Sequence, residues 1–243
     1  MRASIHSAVQ ALYEASSSHA FPGEFDDSYH TLDPEVAARV LARPVRELSR
    51  DDADELFRVL WDDGPAFKHF LPRLIELAAA PWEPHHWPDL PELLETARRL
   101  KVFVDTPELY APIVGLIESL WAFLYDSEAP AEHVEDILCG SAWCWDSLAD
   151  RLSTWLQTPR PGAQVSIAGY LLFNAEALRT RRRLTNSDRW ANRPAQEMEV
   201  CEWLRSAALW KHLCELAVPS TAHPSLVEAC SLLNQLHAAP TFA

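Results

Sequence analysis

The sequence predicts an all-α protein, either an irregular antiparallel helical bundle or a short HEAT-like stack of helical pairs, and three observations carry that expectation. Apolar side chains recur at offsets of three and four from one end to the other, the rhythm of a buried helix face. The 243 residues contain only six glycines. Many of the 18 prolines stand where a helix should begin or stop, as expected for a residue tolerated in a first turn and excluded from an interior. Strand-like alternation is absent, and no repeat period emerges that would fix a solenoid.

In chain order, an amphipathic helix runs from about Ser4 to Ser16. A loop follows from Ser17 to Leu32, holding His19, Glu24, Asp26, Asp27 and His30 without the spacing that makes ligands converge. Asp33-Pro34 should cap a short helix ending near Arg43 before Pro44. Ser49 should cap the next one, with Asp52 at the capping-box position. The stretch Asp51–Ala80 is the centre of the chain. Its first half holds six acids, Asp51, Asp52, Asp54, Glu55, Asp62 and Asp63, against one base. These acids form the candidate face for a basic partner.

Its second half starts at Gly64-Pro65, with Asp63 or Gly64 as cap. Phe67, Phe70, Leu71, Leu74, Ile75 and Ala78 make one buried face. Pro72 should kink this helix or restart it, because it removes a backbone hydrogen bond and crowds the preceding turn. Lys68, His69, Arg73 and Glu76 fall on the other side. They read either as a solvated face with local ion pairs or as a polar pocket lined by His69 and Arg73, with Lys68 as a further anion-binding candidate.

The segment Trp61–Leu77, WDDGPAFKHFLPRLIEL, resembles an uncharacterised family of bacterial helical proteins in which a Trp-Gly-type turn precedes a phenylalanine-rich helix ending in Leu-Pro-Arg-x-x-Glu-Leu. PVREL at Pro44–Leu48, LIESLWAFL at Leu116–Leu124 and WDSLADRLSTWL at Trp145–Leu156 extend the similarity over most of the chain. The resemblance implies a helical fold and no known activity. Many members carry a Cys-x-x-Cys pair before the PLREL-like segment; residues 21–31 here hold no cysteine, so a metal role for that pair does not carry over.

Pro81–Pro91 is a proline-punctuated connector, the soft boundary within an otherwise single domain of residues 1–243. Glu83, His85, His86 and Asp89 cluster there as weak metal candidates. Adjacent histidines point apart, and the His-Glu-x-x-His spacing of zinc sites is missing. Packing of Trp82 and Trp87 on the bundle explains the segment better. Helices should follow over about Pro91–Val102, Pro107–Tyr125, Pro130–Gly140, Ser141–Leu156, Ala163–Arg179, Pro194–Ala217 and Pro224–Leu236, about eleven in all. Trp203 and Trp210, seven apart, read as core patterning. The run RTRRR, with Arg181, Arg182 and Arg183, is the one basic patch, a helix end or an anion site.

A net charge of −14 makes the chain a poor nucleic-acid binder, since polyphosphate is held by lysine and arginine. A basic protein or a cation suits it better. The apolar run Leu109–Tyr125 includes Pro112 and Glu118 and is too short to span a bilayer. The N-terminal segment lacks a signal peptide's apolar core. Five cysteines without a Cys-x-x-Cys pair read as buried free thiols in a reducing cytoplasm. His133 and Cys144 lack an activating third residue for nucleophilic chemistry.

Serine elbows, phosphate-binding glycine loops and dinucleotide fingerprints are all missing. The expected function is therefore non-enzymatic and cofactor-free: a cytoplasmic protein that binds, and in an immunity-type role neutralises, a basic partner such as a toxin. The alternatives are a metal-dependent enzyme using the His85-His86 region and a small-molecule binder with a Trp-lined cleft.

Overall fold

Helices are the only regular elements among the described residues of the computed structural model, which are 2–23, 25, 32–80, 88–180, 183–218 and 222–238. They gather into two compact units, Met1–Leu120 and Trp121–Ala243, where the sequence suggested one domain with a soft boundary near residues 81–91. Residues 81–87 lie outside the described ones.

The first unit holds α1 (Arg2–Ser16), α2 (Pro34–Leu41), α3 (Arg50–Leu60), α4 (Gly64–Ala78), α5 (Leu90–Arg99), α6 (Val102–Asp105) and the N-terminal part of α7 (Tyr110–Asp126). Helix α4 is its axis. It packs against α1, α3, α5 and the 3-10 turn Val45–Glu47, burying Phe67, Phe70, Leu71, Leu74 and Ile75 on the face the periodicity marked. Asp63 caps it, accepting from the Ala66 amide at 3.0 Å.

Of the two outcomes expected at Pro72, the restart does not occur: α4 runs through it, with Pro72 itself buried. A proline inside a helix costs roughly 3 kcal/mol, an amount that two well-buried leucine-sized side chains offset. Surrounded by packed neighbours, α4 has that reserve.

The second unit takes the rest of α7, then α8 (Ala131–Ser141), α9 (Ala149–Gln157), α10 (Pro161–Phe173), α11 (Ala175–Thr180), α12 (Pro194–Leu204), α13 (Ala207–Ala217) and α14 (Pro224–Ala238). Here α10 is central, touching α8, α9, α11 and α14. Close approach at its start needs a glycine. An added Cβ at Gly162 would lie 2.7 Å from the Glu128 amide nitrogen and 2.9 Å from the Ser127 carbonyl carbon. Ser166, one turn on, donates to the Gly162 carbonyl and accepts from the Ala129 amide at 2.7 Å.

Several long helices of the sequence reading are broken in the structure, giving fourteen α-helices and three 3-10 turns among the described residues. The expected helix Ser141–Leu156 is regular only as α9. Side chains of α12 hold the intervening residues, a turn and a bend: Gln196 donates to the Asp146 carbonyl at 3.0 Å, and Glu199 accepts from the Leu148 amide at 2.6 Å. Asn174 divides the expected Ala163–Arg179 helix, donating back to the Tyr170 carbonyl and accepting from the Thr185 amide. Ser206 caps α13 and so parts Trp203 from Trp210. Lys101, in the left-handed region at φ 56°, separates α5 from α6.

Cysteine usage also differs from expectation. Cys139, Cys144 and Cys201 are free, but Cys214 and Cys230 form a disulfide between α13 and α14. A separation of 16 residues in sequence said nothing about proximity until the two helices packed as a hairpin. Among the described residues no helix is long and apolar enough to cross a membrane.

Candidate functional site

The acidic helix α3 divides its charges by depth. Ser49 and Asp52 form a complete capping box, each side chain bonding the other's backbone amide. Asp52 is 2% exposed and receives Arg39 Nε at 2.8 Å and Arg43 Nη1 at 3.4 Å. Burial works against its charge, but hydrogen bonds from Ser49 and Arg39 prevail and hold its carboxyl below the usual range. Its contribution to stability is therefore present above the ordinary carboxylate range and lost as pH falls through the lowered native value. Asp52→Asn should cost about 1–2 kcal/mol at pH 7, with the difference shrinking toward pH 3, measured by urea unfolding at each pH.

Asp63 also turns inward, as the α4 cap. Neither Asp52 nor Asp63 can present charge to a partner, which corrects two of the six acids assigned to that face. Three of the others face out. Asp51, Glu55, Arg58 and Asp62 are exposed at intervals of three and four, forming one stripe, while Ala53, Leu56, Phe57 and Leu60 fill the opposite side. Asp54 is half-buried and lines a cavity of about 10 Å³ with Arg50, Leu74 and Pro88, room for no more than a water.

Trp61 closes the stripe. It is 38% exposed and meets Phe57 edge-on at 5.7 Å. The Arg99 guanidinium lies 4.5 Å above its ring and bonds Asp62 at 2.7 Å. An indole held between an internal phenyl and a stacked guanidinium loses little freedom on binding. The stripe thus ends on an aromatic group already fixed in place.

The polar side of α4 is neither a solvated surface nor a pocket. Lys68 bonds Asp105 at 3.0 Å, and His69 Nδ1 lies 2.9 Å from the His19 carbonyl oxygen. Arg73 places Nε and Nη2 on the Leu48 carbonyl oxygen, at 2.9 and 2.6 Å, and Nη1 on Glu76 at 2.7 Å. Tyr13 donates to the same Glu76 carboxylate at 2.8 Å. These side chains tie surrounding segments to α4 and leave no open anion site.

Of the basic run, Arg179 stays exposed beside Glu176, while Arg183 and the nearby Arg189 and Arg193 are taken up by neighbours. Arg183 grips Glu197 at 2.7 and 3.2 Å, Arg189 pairs with Asp136 at 2.7 Å, and Arg193 covers the Trp143 ring at 4.1 Å. Arg181 and Arg182 lie outside the described residues. So do Glu24, Asp26, Asp27 and His30 of the first loop, and Trp82, Glu83, His85, His86 and Trp87 of the connector. Asp89 serves as the α5 cap, accepting from Glu92 at 2.9 Å. Among the described residues, no group of three or more histidine, cysteine, aspartate or glutamate side chains converges as metal ligands would.

One site went unread in the sequence. Glu135 of α8 is fully buried in the second unit. Its carboxylate accepts from Trp190 Nε1 at 2.7 Å and from the Tyr170 hydroxyl. Burial pushes its pKa up, with the two hydrogen bonds pulling partly back; burial and the Glu135 charge together raise that of Tyr170. The signal was available: Glu135 shares its helix stripe with Leu138, Cys139 and Ala142, all buried. An acid inside an apolar stripe marks a buried polar network.

Three tryptophans of the second unit form its core, while Trp203 and Trp210, expected there, are half-buried. Trp121, Trp155 and Trp190 are fully buried; Trp121 meets Trp155 edge-on at 6.1 Å, and Trp155 stacks on Trp203 at 5.6 Å. No family model, no curated protein and no solved structure matches the chain. Fold and surface define an all-α protein with an acidic, tryptophan-ended helix face.

Proposed function

We propose that the protein is a non-enzymatic binding protein whose α3 face docks a basic protein surface. The observation that carries this reading is the exposed stripe Asp51, Glu55, Arg58 and Asp62, three acids to one base with Asp62 paired to Arg99, ending on the preset Trp61. Charge distribution supports it. Residues 1–120 hold 21 acidic against 11 basic side chains, so −10 of the −14 net charge lies in the unit that carries the stripe. Acidic surfaces steer basic partners into encounter, and a tryptophan backed by arginine is the usual composition of an energetic anchor. Neutralisation of a basic toxin is the concrete form such binding takes. The reading keeps the protein in the cytoplasm, where free thiols such as its Cys139, Cys144 and Cys201 are the common state and a disulfide such as Cys214–Cys230 the exception.

Affinity capture from the native host should recover a stoichiometric basic protein whose binding weakens as salt rises. Glu55→Lys and Trp61→Ala, each with an unchanged helical circular dichroism spectrum, should each lower affinity by about 10-fold or more. Recovery of no partner, or of one indifferent to both substitutions, overturns the reading.

A further inference from the structure

Among the described residues of the first unit, the exposed large apolar side chains are Leu41, Trp61, Val104 and Tyr110. The last three are linked through the corner between α5 and α6. Arg99, at the end of α5, stacks on Trp61, and the Leu100 carbonyl oxygen lies 3.9 Å from where a Cβ on Gly64 would stand. One turn along α4, Lys68 bonds Asp105 of α6 at 3.0 Å. The corner therefore runs beside the first turns of α4, whose Pro65 is exposed. Val104, next to Asp105, is 77% exposed. The half-buried Phe103 meets Tyr110 edge-on at 5.8 Å.

An apolar seam thus leaves the α3 stripe at Trp61 and continues past Pro65 and Val104 to Tyr110. Single exposed apolar side chains are ordinary, but a connected set bordered by polar groups is the composition of an interaction surface. Acids stand at both ends: Asp51, Glu55 and Asp62 beside Trp61, and the exposed Asp105 and Glu108 beside Val104 and Tyr110. The unit as a whole carries 21 acidic against 11 basic side chains. A purely basic surface would satisfy the acids and leave the seam wet.

We propose that, within the α3 reading on which this rests, the partner's docking element is a basic amphipathic helix, its apolar stripe laid on Trp61, Val104 and Tyr110 and its flanking lysines and arginines reaching the acids at either end. Such a helix presents apolar side chains at every third or fourth residue with cations along its edges, the pattern that an apolar seam in an acidic surround complements. Apolar contact then supplies the part of the affinity that salt does not screen, and the acids supply steering.

Two probes test it on the full chain at near-physiological salt, where charges act over only about 8 Å: a helical leucine–lysine peptide with its leucines on one face, and polylysine of equal charge. The leucine–lysine peptide should bind about 10-fold tighter or more. Val104→Asp gives the decisive sign. The added carboxylate would strengthen binding to a face that works by charge alone, whereas here it should weaken the leucine–lysine peptide about 5-fold or more and leave polylysine unchanged or slightly tighter. Val104→Ser removes the methyl groups without adding charge and should weaken the same peptide; it decides alone if circular dichroism shows Val104→Asp unfolded. Equal affinity of the two probes, both lost in Glu55→Lys, overturns the amphipathic helix and leaves the α3 reading standing. Tighter binding after Val104→Asp, or a leucine–lysine peptide indifferent to both Val104 variants, also overturns it. So does binding of neither probe, in which case capture from the host decides the α3 reading separately.

Discussion

Replacing Glu135 by alanine is expected to cost the second unit about 3–5 kcal/mol, because the change empties a packed volume and strands two buried donors at once. Tyr170 and Trp190 both spend their polar hydrogens on this carboxylate, and both are fully buried. Glu135→Gln should behave differently. Its amide oxygen still accepts from Trp190 and its amide nitrogen donates to the Tyr170 oxygen, leaving only the Tyr170 hydroxyl hydrogen without its acceptor, so the loss should be about 1–2 kcal/mol at pH 5.

The two proteins should then diverge with pH in a determined direction. Burial raises the native pKa of Glu135, so the native state binds the proton more tightly than the unfolded chain does. That contribution is complete below the unfolded carboxyl pKa and is lost as pH rises through the native value. Glu135→Gln, having no proton to lose, should gain on wild type between pH 5 and pH 8. Urea unfolding of both proteins across that range checks the sign, and a Glu135→Gln stability that falls relative to wild type as pH rises would refute the burial argument.

Gly162→Ala is the second large effect, at about 2–3 kcal/mol of destabilisation. In an open helix the same change is stabilising by roughly 1 kcal/mol, because alanine is the better helix former. Here the new methyl group would lie 2.7 Å and 2.9 Å from backbone atoms of Glu128 and Ser127, which cannot rotate aside as a side chain would. The segment must move, straining the Ser166 hydroxyl's bond to the Ala129 amide. Gly169, on the same helix, has no neighbour within 4 Å of an added Cβ. Gly169→Ala is the internal control and should leave stability unchanged or slightly raised. Thermal unfolding of the two variants side by side separates propensity from contact.

Helix starts were legible because their signals act over three or four residues. Ser49 with Asp52, Asp33 with Pro34, and Asp63 before Gly64-Pro65 each cap the helix they were expected to cap. The breaks were not legible. Residues Trp143–Leu148 carry no local stop signal strong enough to halt a helix; Gln196 and Glu199, about fifty residues away, occupy the backbone groups a helix would have used. The charged side chains of α4 were misread in the same way. Lys68, His69 and Arg73 looked like a wet face or a pocket, and they bind Asp105, the His19 carbonyl and the Leu48 carbonyl.

What the sequence by itself determined was the all-α class, the caps and the buried faces, because periodicity and capping depend on neighbours along the chain. Only the tertiary structure decided which charges remain on the surface. It drew Asp52 and Asp63 inward, spent Arg183 and Arg189 on buried acids, joined Cys214 to Cys230, and left Asp51, Glu55, Asp62 and Trp61 facing out. The physical reason is that a charge or a thiol is defined by what lies within a few ångströms of it, and that neighbour is most often contributed by a distant part of the chain.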